Sequence, residues 1–116
     1  MKIFVLKSKI HNARVTECKP EYEGSIIIDE TLMKAVNIIQ YEKVLVANAE
    51  NGNRYETYVM KGKKDSGIIS INGAGTKYSS VGDRLTIFAF AAVEENEVLK
   101  PNIIVVDAQN RIKIQK

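Results

Sequence analysis

The sequence predicts a mainly β fold, a small closed barrel carrying one short helix, and three observations lead there. Apolar runs of strand length, rich in Ile, Val and aromatic residues, recur along the whole chain between turn residues. Asn51-Gly52 joins two alternating runs as a hairpin would. Only one stretch, residues 31–39, repeats its apolar side chains at helical spacing. Many short strands need their edges covered, and closure into a barrel removes those edges.

The elements follow in order. Residues 3–6 open a first strand, whose apolar run breaks at Lys7-Ser8-Lys9, too soon for a signal peptide. In Lys9-Ile10-His11 an extended chain points Lys9 and His11 one way and Ile10 the other. Strands are expected at 13–18 and 25–28. Asp29 then sits as a helix N-cap with Glu30 in the first turn, and Leu32, Ala35, Val36 and Ile39 form one helical face. The runs 44–48 and 54–60 should pair through a type I′ turn at Asn51-Gly52. In the second of them Arg54, Glu56 and Tyr58 share one face, and Tyr55, Thr57 and Val59 the other. A strand at 68–71 leads into the small-residue loop Asn72-Gly73-Ala74-Gly75-Thr76. Val81-Gly82-Asp83 makes a tight turn before a long strand at 85–92, and a second helical turn at 94–99 is expected to stop at Pro101. Strands at 103–106 and 111–114 complete the chain.

Composition sets the bounds. The 116 residues, 45% of them hydrophobic, fit one domain with a small core. The 17 Lys+Arg against 14 Asp+Glu give +3 with the signs interspersed, which suits an anionic small molecule. The one cysteine, Cys18, excludes an internal disulfide, and no apolar run approaches the roughly 20 residues of a membrane span, so a reduced cytoplasmic setting is expected. One His and one Cys supply no zinc site, and Gly62-Lys63 lacks the rest of a Walker A loop, so no metal is expected. A nucleic-acid module would use Lys61, Lys63, Lys64 and Lys77, but 3 Phe, 5 Tyr and no Trp give no stripe of stacking rings.

The chemistry centres on Tyr22-Glu23-Gly24-Ser25, which runs straight into Ile26-Ile27-Ile28-Asp29. Glycine tolerates backbone angles closed to other residues, so a Gly-Ser bond entering a buried strand can be bent and strained. If Ser25 Oγ attacks the Gly24 carbonyl, the amide becomes an ester. Loss of the Ser25 α-proton then leaves dehydroalanine, and hydrolysis leaves a pyruvoyl group, a ketone that forms a Schiff base with an amine and accepts electrons. A turn leading into a strand explains the same dipeptide. The other candidates also have two readings. Lys9 and His11 fit a solvated strand edge, Arg54 a carboxylate clamp or an exposed hairpin end, and Tyr58 a proton donor or a packing ring. Thr57 can hydrogen-bond a carbonyl or simply favour a strand, and the Asn72–Gly75 backbone can approach a ligand or merely turn.

Together these segments are specific. Lys9-Ile10-His11, Tyr22-Glu23-Gly24-Ser25, the stretch from Asn51 to Tyr58, Ile71-Asn72-Gly73-Ala74 and Ser80-Val81-Gly82-Asp83 occur in the order and spacing of the pyruvoyl-dependent aspartate 1-decarboxylases, a family the chain strongly resembles. The resemblance implies a six-stranded double-psi β-barrel, a homotetramer with active sites between subunits, and self-cleavage into chains 1–24 and 25–116. It implies decarboxylation of L-aspartate to β-alanine on a pyruvoyl cofactor made from Ser25, without metal, pyridoxal phosphate, nucleic acid or membrane. By the same resemblance Tyr58 is the proton donor and Tyr22, Gly24, Thr57 and Asn72 serve self-processing. Lys9, His11, Arg54, Thr57 and the Gly73-Ala74-Gly75 loop bind substrate. Position 75 is more often alanine in that family, and some members carry a bulky aromatic at position 47 where this chain has Ala47.

Overall fold

Short runs rich in β-branched and aromatic residues, bounded by turn residues, build most elements here. The computed structural model describes residues 1–116. It contains nine strands: β1 (Lys2–Arg14), β2 (Glu17–Lys19), β3 (Ser25–Asp29), β4 (Lys43–Asn48), β5 (Arg54–Gly62), β6 (Ile69–Asn72), β7 (Arg84–Glu94), β8 (Asn102–Val106) and β9 (Ile112–Gln115). One helix, α1 (Glu30–Val36), joins β3 to β4. The hydrogen-bonded order is β2-β6-β3-β5-β4-β7-β1-β8-β9. The pairs β3–β5, β1–β8 and β2–β6 are parallel, and the others antiparallel. Nine strands stand where the resemblance implies six, β8 and β9 close to where the sequence runs at 103–106 and 111–114 put them, and the mainly β class holds.

The inner side chains form one cluster of 19 buried apolar residues, among them Ile10, Ile26, Val46, Val59, Ile71 and Ile87. Ile10 faces Ile87, which faces Val46, so a single row across β1, β7 and β4 fills the interior. The run at 3–6 and the extended Lys9-Ile10-His11 belong to one strand, β1, bent by irregularities after Leu6 and after His11, where Asn12 takes a φ of 67°, and the strand expected at 13–18 is divided, its first two residues ending β1 and its last two opening β2.

Asp29 caps α1, its Oδ1 accepting from Thr31 N at 2.9 Å. The same buried carboxylate accepts from Asp65 N and Gly67 N, which ties the loop before β6 to the helix start. The helix ends sooner than its periodicity suggests, because Asn37 turns left-handed (φ 61°) and donates back to Lys34 O; Ile39 is consequently exposed. Strands β4 and β5 pair as expected, Ala47 facing Arg54, but not through a type I′ turn. Only Gly52 has positive φ there, and the longer loop is held by the Asn48 and Asn51 side chains accepting from Glu50 N and Asn53 N. No helix forms at 94–99: Val98 is 98% exposed, so that stretch has nothing to bury its apolar residues against. The second short helix is instead a 3-10 turn, Gly73–Lys77, within the expected loop. No helix is long and apolar enough to cross a membrane.

Candidate functional site

Register, more than proximity in sequence, assembles the first group of site residues. Strands β3 and β6 run antiparallel with Ser25 facing Asn72, and both are buried. Ser70 Oγ donates to Asn72 Oδ1 at 3.0 Å, which orients the amide so that Asn72 Nδ2 donates to Ser25 Oγ at 3.1 Å. Ser25 Oγ therefore accepts one hydrogen bond while its own proton stays available. On the other flank Ile26 is level with Val59 of the parallel strand β5. Counting back, Tyr58 lies level with Ser25 and Thr57 with Gly24.

Gly73 closes this group from above. Its φ is 75°, and a Cβ there would lie 2.8 Å from Gly24 Cα, 2.9 Å from Gly24 N and 3.0 Å from Tyr22 O. Only a residue without a side chain lets the 3-10 turn press this close on the Gly24-Ser25 junction. The strain expected at Gly24 itself is not found: Gly24 has no left-handed φ, and a Cβ on it would meet nothing within 4 Å. The glycine that the geometry demands is Gly73. The Tyr22 ring is more than half exposed and lies under Lys19 Nζ, 4.8 Å from the ring centre, so its backbone carbonyl is what reaches the junction.

The loop is braced from below by Tyr55. A Cβ on Gly75 would come within 3.2 Å of the Tyr55 ring and 3.0 Å of Ile71, so the ring takes the room an alanine methyl would need. Tyr55 stacks on Tyr78 at 5.7 Å and its hydroxyl shares a hydrogen bond with Ser79 at 2.9 Å. Burial holds the Tyr55 phenol above its ordinary value, outweighing the Ser79 hydrogen bond, which acts in the opposite sense. Ala74, by contrast, is exposed.

A second group gathers on the outer face of the sheet. His11 faces Thr86, Thr86 faces Ala47, and Ala47 faces Arg54, a single row across β1, β7, β4 and β5. One row along, Lys9 faces Phe88, which faces Leu45, which faces Glu56. Lys9 Nζ and Arg54 Cζ each lie 5.8 Å from the centre of the Phe88 ring, and Thr86 Oγ1 is 3.3 Å from His11 Nδ1. Arg54 and Tyr58 share a face of β5 but stand four residues apart, about 13 Å along a strand. One chain thus brings Ser25, Asn72, Gly73 and Gly24 into one group and Lys9, His11 and Arg54 into another, while Thr57 and Tyr58 stand beside the first by register, on opposite faces of β5. Within the chain the two remain separate.

Ser70, Thr86 and Phe88 escaped sequence reasoning. The outward alternation of β7 carried a signal for the last two, once its register with β1 was known. Burial and the neighbouring Asp83 hold the Cys18 thiol up, and its Sγ points at Ser79 O. Lys61 is paired with Glu30 at 3.5 Å, which weakens the basic patch a nucleic acid would need. No three His, Cys, Asp or Glu side chains cluster with metal-binding geometry.

A small β-barrel with a serine hydroxyl held beside a glycine-cradled junction is the class these features define. Its fold is similar to that of the rationally designed mkDPBB_sym1 protein, a double-psi β-barrel, with a TM-score of 0.52 and 18% identity over 75% of this chain and 96% of that one. At that identity the likeness concerns the fold alone. The chain belongs to the aspartate decarboxylase family, whose description matches residues 1–113. It is 49% identical to the aspartate 1-decarboxylase of Coprothermobacter proteolyticus over 113 residues, covering 97% of this chain and 94% of that protein. It is 50% identical to the same enzyme of Lactiplantibacillus plantarum over 114 residues, covering 97% and 88%.

Proposed function

We propose that this chain converts L-aspartate to β-alanine and carbon dioxide, feeding pantothenate and coenzyme A synthesis in the cytoplasm, through a pyruvoyl group made from its own Ser25. The observation that carries the reading is the buried Ser25 hydroxyl, held by Asn72 beside a junction that Gly73 closely covers. Family membership supplies the substrate.

Self-processing uses the chain's own atoms. Ser25 Oγ attacks the Gly24 carbonyl carbon, the C–N bond breaks as the C–O bond forms, and the proton passes to the freed amine. Loss of the Ser25 α-proton expels the Gly24 carboxylate and leaves dehydroalanine. Water then releases ammonia and leaves the pyruvoyl ketone at the head of chain 25–116, with 1–24 as the small chain. Tyr22 and Gly24 set the junction, and Thr57 hydrogen-bonds the carbonyl under attack.

A pyruvoyl group fits the residues present: it is no larger than the serine it replaces, and Asn72 Nδ2, which donates to Ser25 Oγ until that oxygen departs with the Gly24 carboxylate, leaves a hydrogen-bond donor beside residue 25. Once formed, it supplies an electron sink that takes up the substrate amine and lets the α-carboxylate leave. The protein does the rest. Arg54 and Lys9 hold the carboxylates, Arg54 through its bidentate fork, since an unpartnered buried carboxylate is costly. His11 and the Gly73-Ala74-Gly75 backbone line the substrate, and the Tyr58 phenol, level with residue 25, delivers the proton to carbon.

The separation of about 13 Å along β5 between Arg54 and Tyr58, the residue level with Ser25, supports a homotetramer in which the cations of one protomer meet the junction of its neighbour. Mixing Ser25→Ala with Arg54→Ala protein tests this reading. Each alone forms no β-alanine, and exchanged subunits recover activity; two inactive parents whose mixture stays inactive after exchange overturn the shared site.

A further inference from the structure

We infer that Phe88 is a positioning residue for the substrate clamp, its ring holding Lys9 and Arg54 together on one patch. The inference rests on the reading that these two cations bind aspartate. Both lie 5.8 Å from the centre of this one ring, inside the range where a ring face attracts a cation, so the two charges are at most twice that distance apart. Neither has a carboxylate partner, whereas Lys7, Lys43 and Arg84 are each committed to an acid at 2.7, 3.1 and 2.8 Å. The nearest acid on the Arg54 face, Glu56, is itself taken by Lys43. Two unneutralised cations on one small patch repel each other, and a flexible lysine stem and arginine stem would otherwise spread apart.

The strand register makes Phe88 the residue able to hold them. Phe88 stands directly opposite Lys9 on β1 and one row from Arg54, while Ala47, directly opposite Arg54, offers only a methyl. The ring is itself fixed, with Leu45 on its other side and Phe90 stacked at 6.2 Å with planes 16° apart. A planar face with negative charge density at its centre attracts both cations without neutralising either, so both remain free to take a dianion. An aliphatic side chain of similar volume would fill the space and lose that attraction.

The test compares Phe88→Leu and Phe88→Tyr with wild type in steady-state decarboxylation of aspartate and in calorimetric titration with succinate, an unreactive dicarboxylate. Phe88→Leu should raise KM for aspartate and Kd for succinate by about three- to tenfold, with kcat within about twofold of wild type. Phe88→Tyr, which keeps the ring, should restore both constants. In an Arg54→Ala background Phe88→Leu should weaken binding by a smaller factor, because one of its two cations is gone. Unchanged KM and Kd in Phe88→Leu, or a Phe88→Tyr protein as weak as Phe88→Leu, overturns the inference while the decarboxylase reading stands. An Arg54→Ala protein that binds succinate as wild type does removes the clamp, and this inference with it. Wild-type protein that binds succinate but forms no β-alanine overturns the proposed reaction and leaves Phe88 to be judged on Kd alone.

Discussion

Replacing Gly73 with alanine puts a methyl where the turn meets the Gly24-Ser25 junction. The new Cβ would lie 2.8 Å from Gly24 Cα and 2.9 Å from Gly24 N, both backbone atoms with no rotamer to swing away. Ordinary van der Waals contact begins near 3.5 Å, so turn and junction must separate by more than half an ångström. Holding alanine at a φ of 75° adds roughly 1–2 kcal/mol, and overpacking typically another ~1–3 kcal/mol. The expected loss is about 2–5 kcal/mol, read by urea unfolding in a Ser25→Ala background that stays uncleaved. In the Ser25 chain the displaced junction should also slow cleavage at least tenfold, followed by intact mass over time. Gly24→Ala is the control: its Cβ meets nothing within 4 Å, so stability should change by less than ~1 kcal/mol. A Gly73→Ala protein that unfolds and cleaves like wild type would refute the close approach as the reason for glycine there.

Three further outcomes follow from particular side chains. Tyr58→Phe should still cleave between residues 24 and 25 but lose ~10²–10⁴-fold in kcat, measured as β-alanine formed. Arg54→Lys keeps the charge but loses the bidentate fork, so KM for aspartate should rise about tenfold with kcat little changed; a lowered kcat at constant KM would argue against a ground-state clamp. Tyr55 has its folded value raised by burial, so the unfolded chain ionises first. Its contribution is intact below about pH 10, the unfolded value, and is lost as pH climbs toward the folded one. Tyr55→Phe should flatten that alkaline decline in urea melts; an unchanged slope would assign the decline to other groups.

The strands were legible because β-branched and aromatic runs of strand length lay between turn residues, and in Arg54 to Met60 the burial then alternates residue by residue. The Asp29 cap was equally plain, since a carboxylate just before an apolar helical face has one usual use. The helix end was not: Asn37 stops it by turning left-handed, and Ile39 kept the helical period while staying in solvent. Residues 94–99 were helical in composition but had no surface to pack on, a fact held by the rest of the fold. In the site, Gly24-Ser25 drew attention to itself, yet the glycine that must be glycine is Gly73, nearly fifty residues away and visible only once β6 pairs with β3. Phe88 stayed hidden for a like reason, because its neighbours Lys9 and Arg54 come from other strands.

The central claim, that residue 25 becomes the reactive group, is tested most directly by the intact mass of purified active protein treated with aspartate and borohydride. Two chains are expected, 1–24 and a blocked 25–116, with the reduced substrate adduct on residue 25. A single uncleaved 116-residue chain that still produces β-alanine would contradict it.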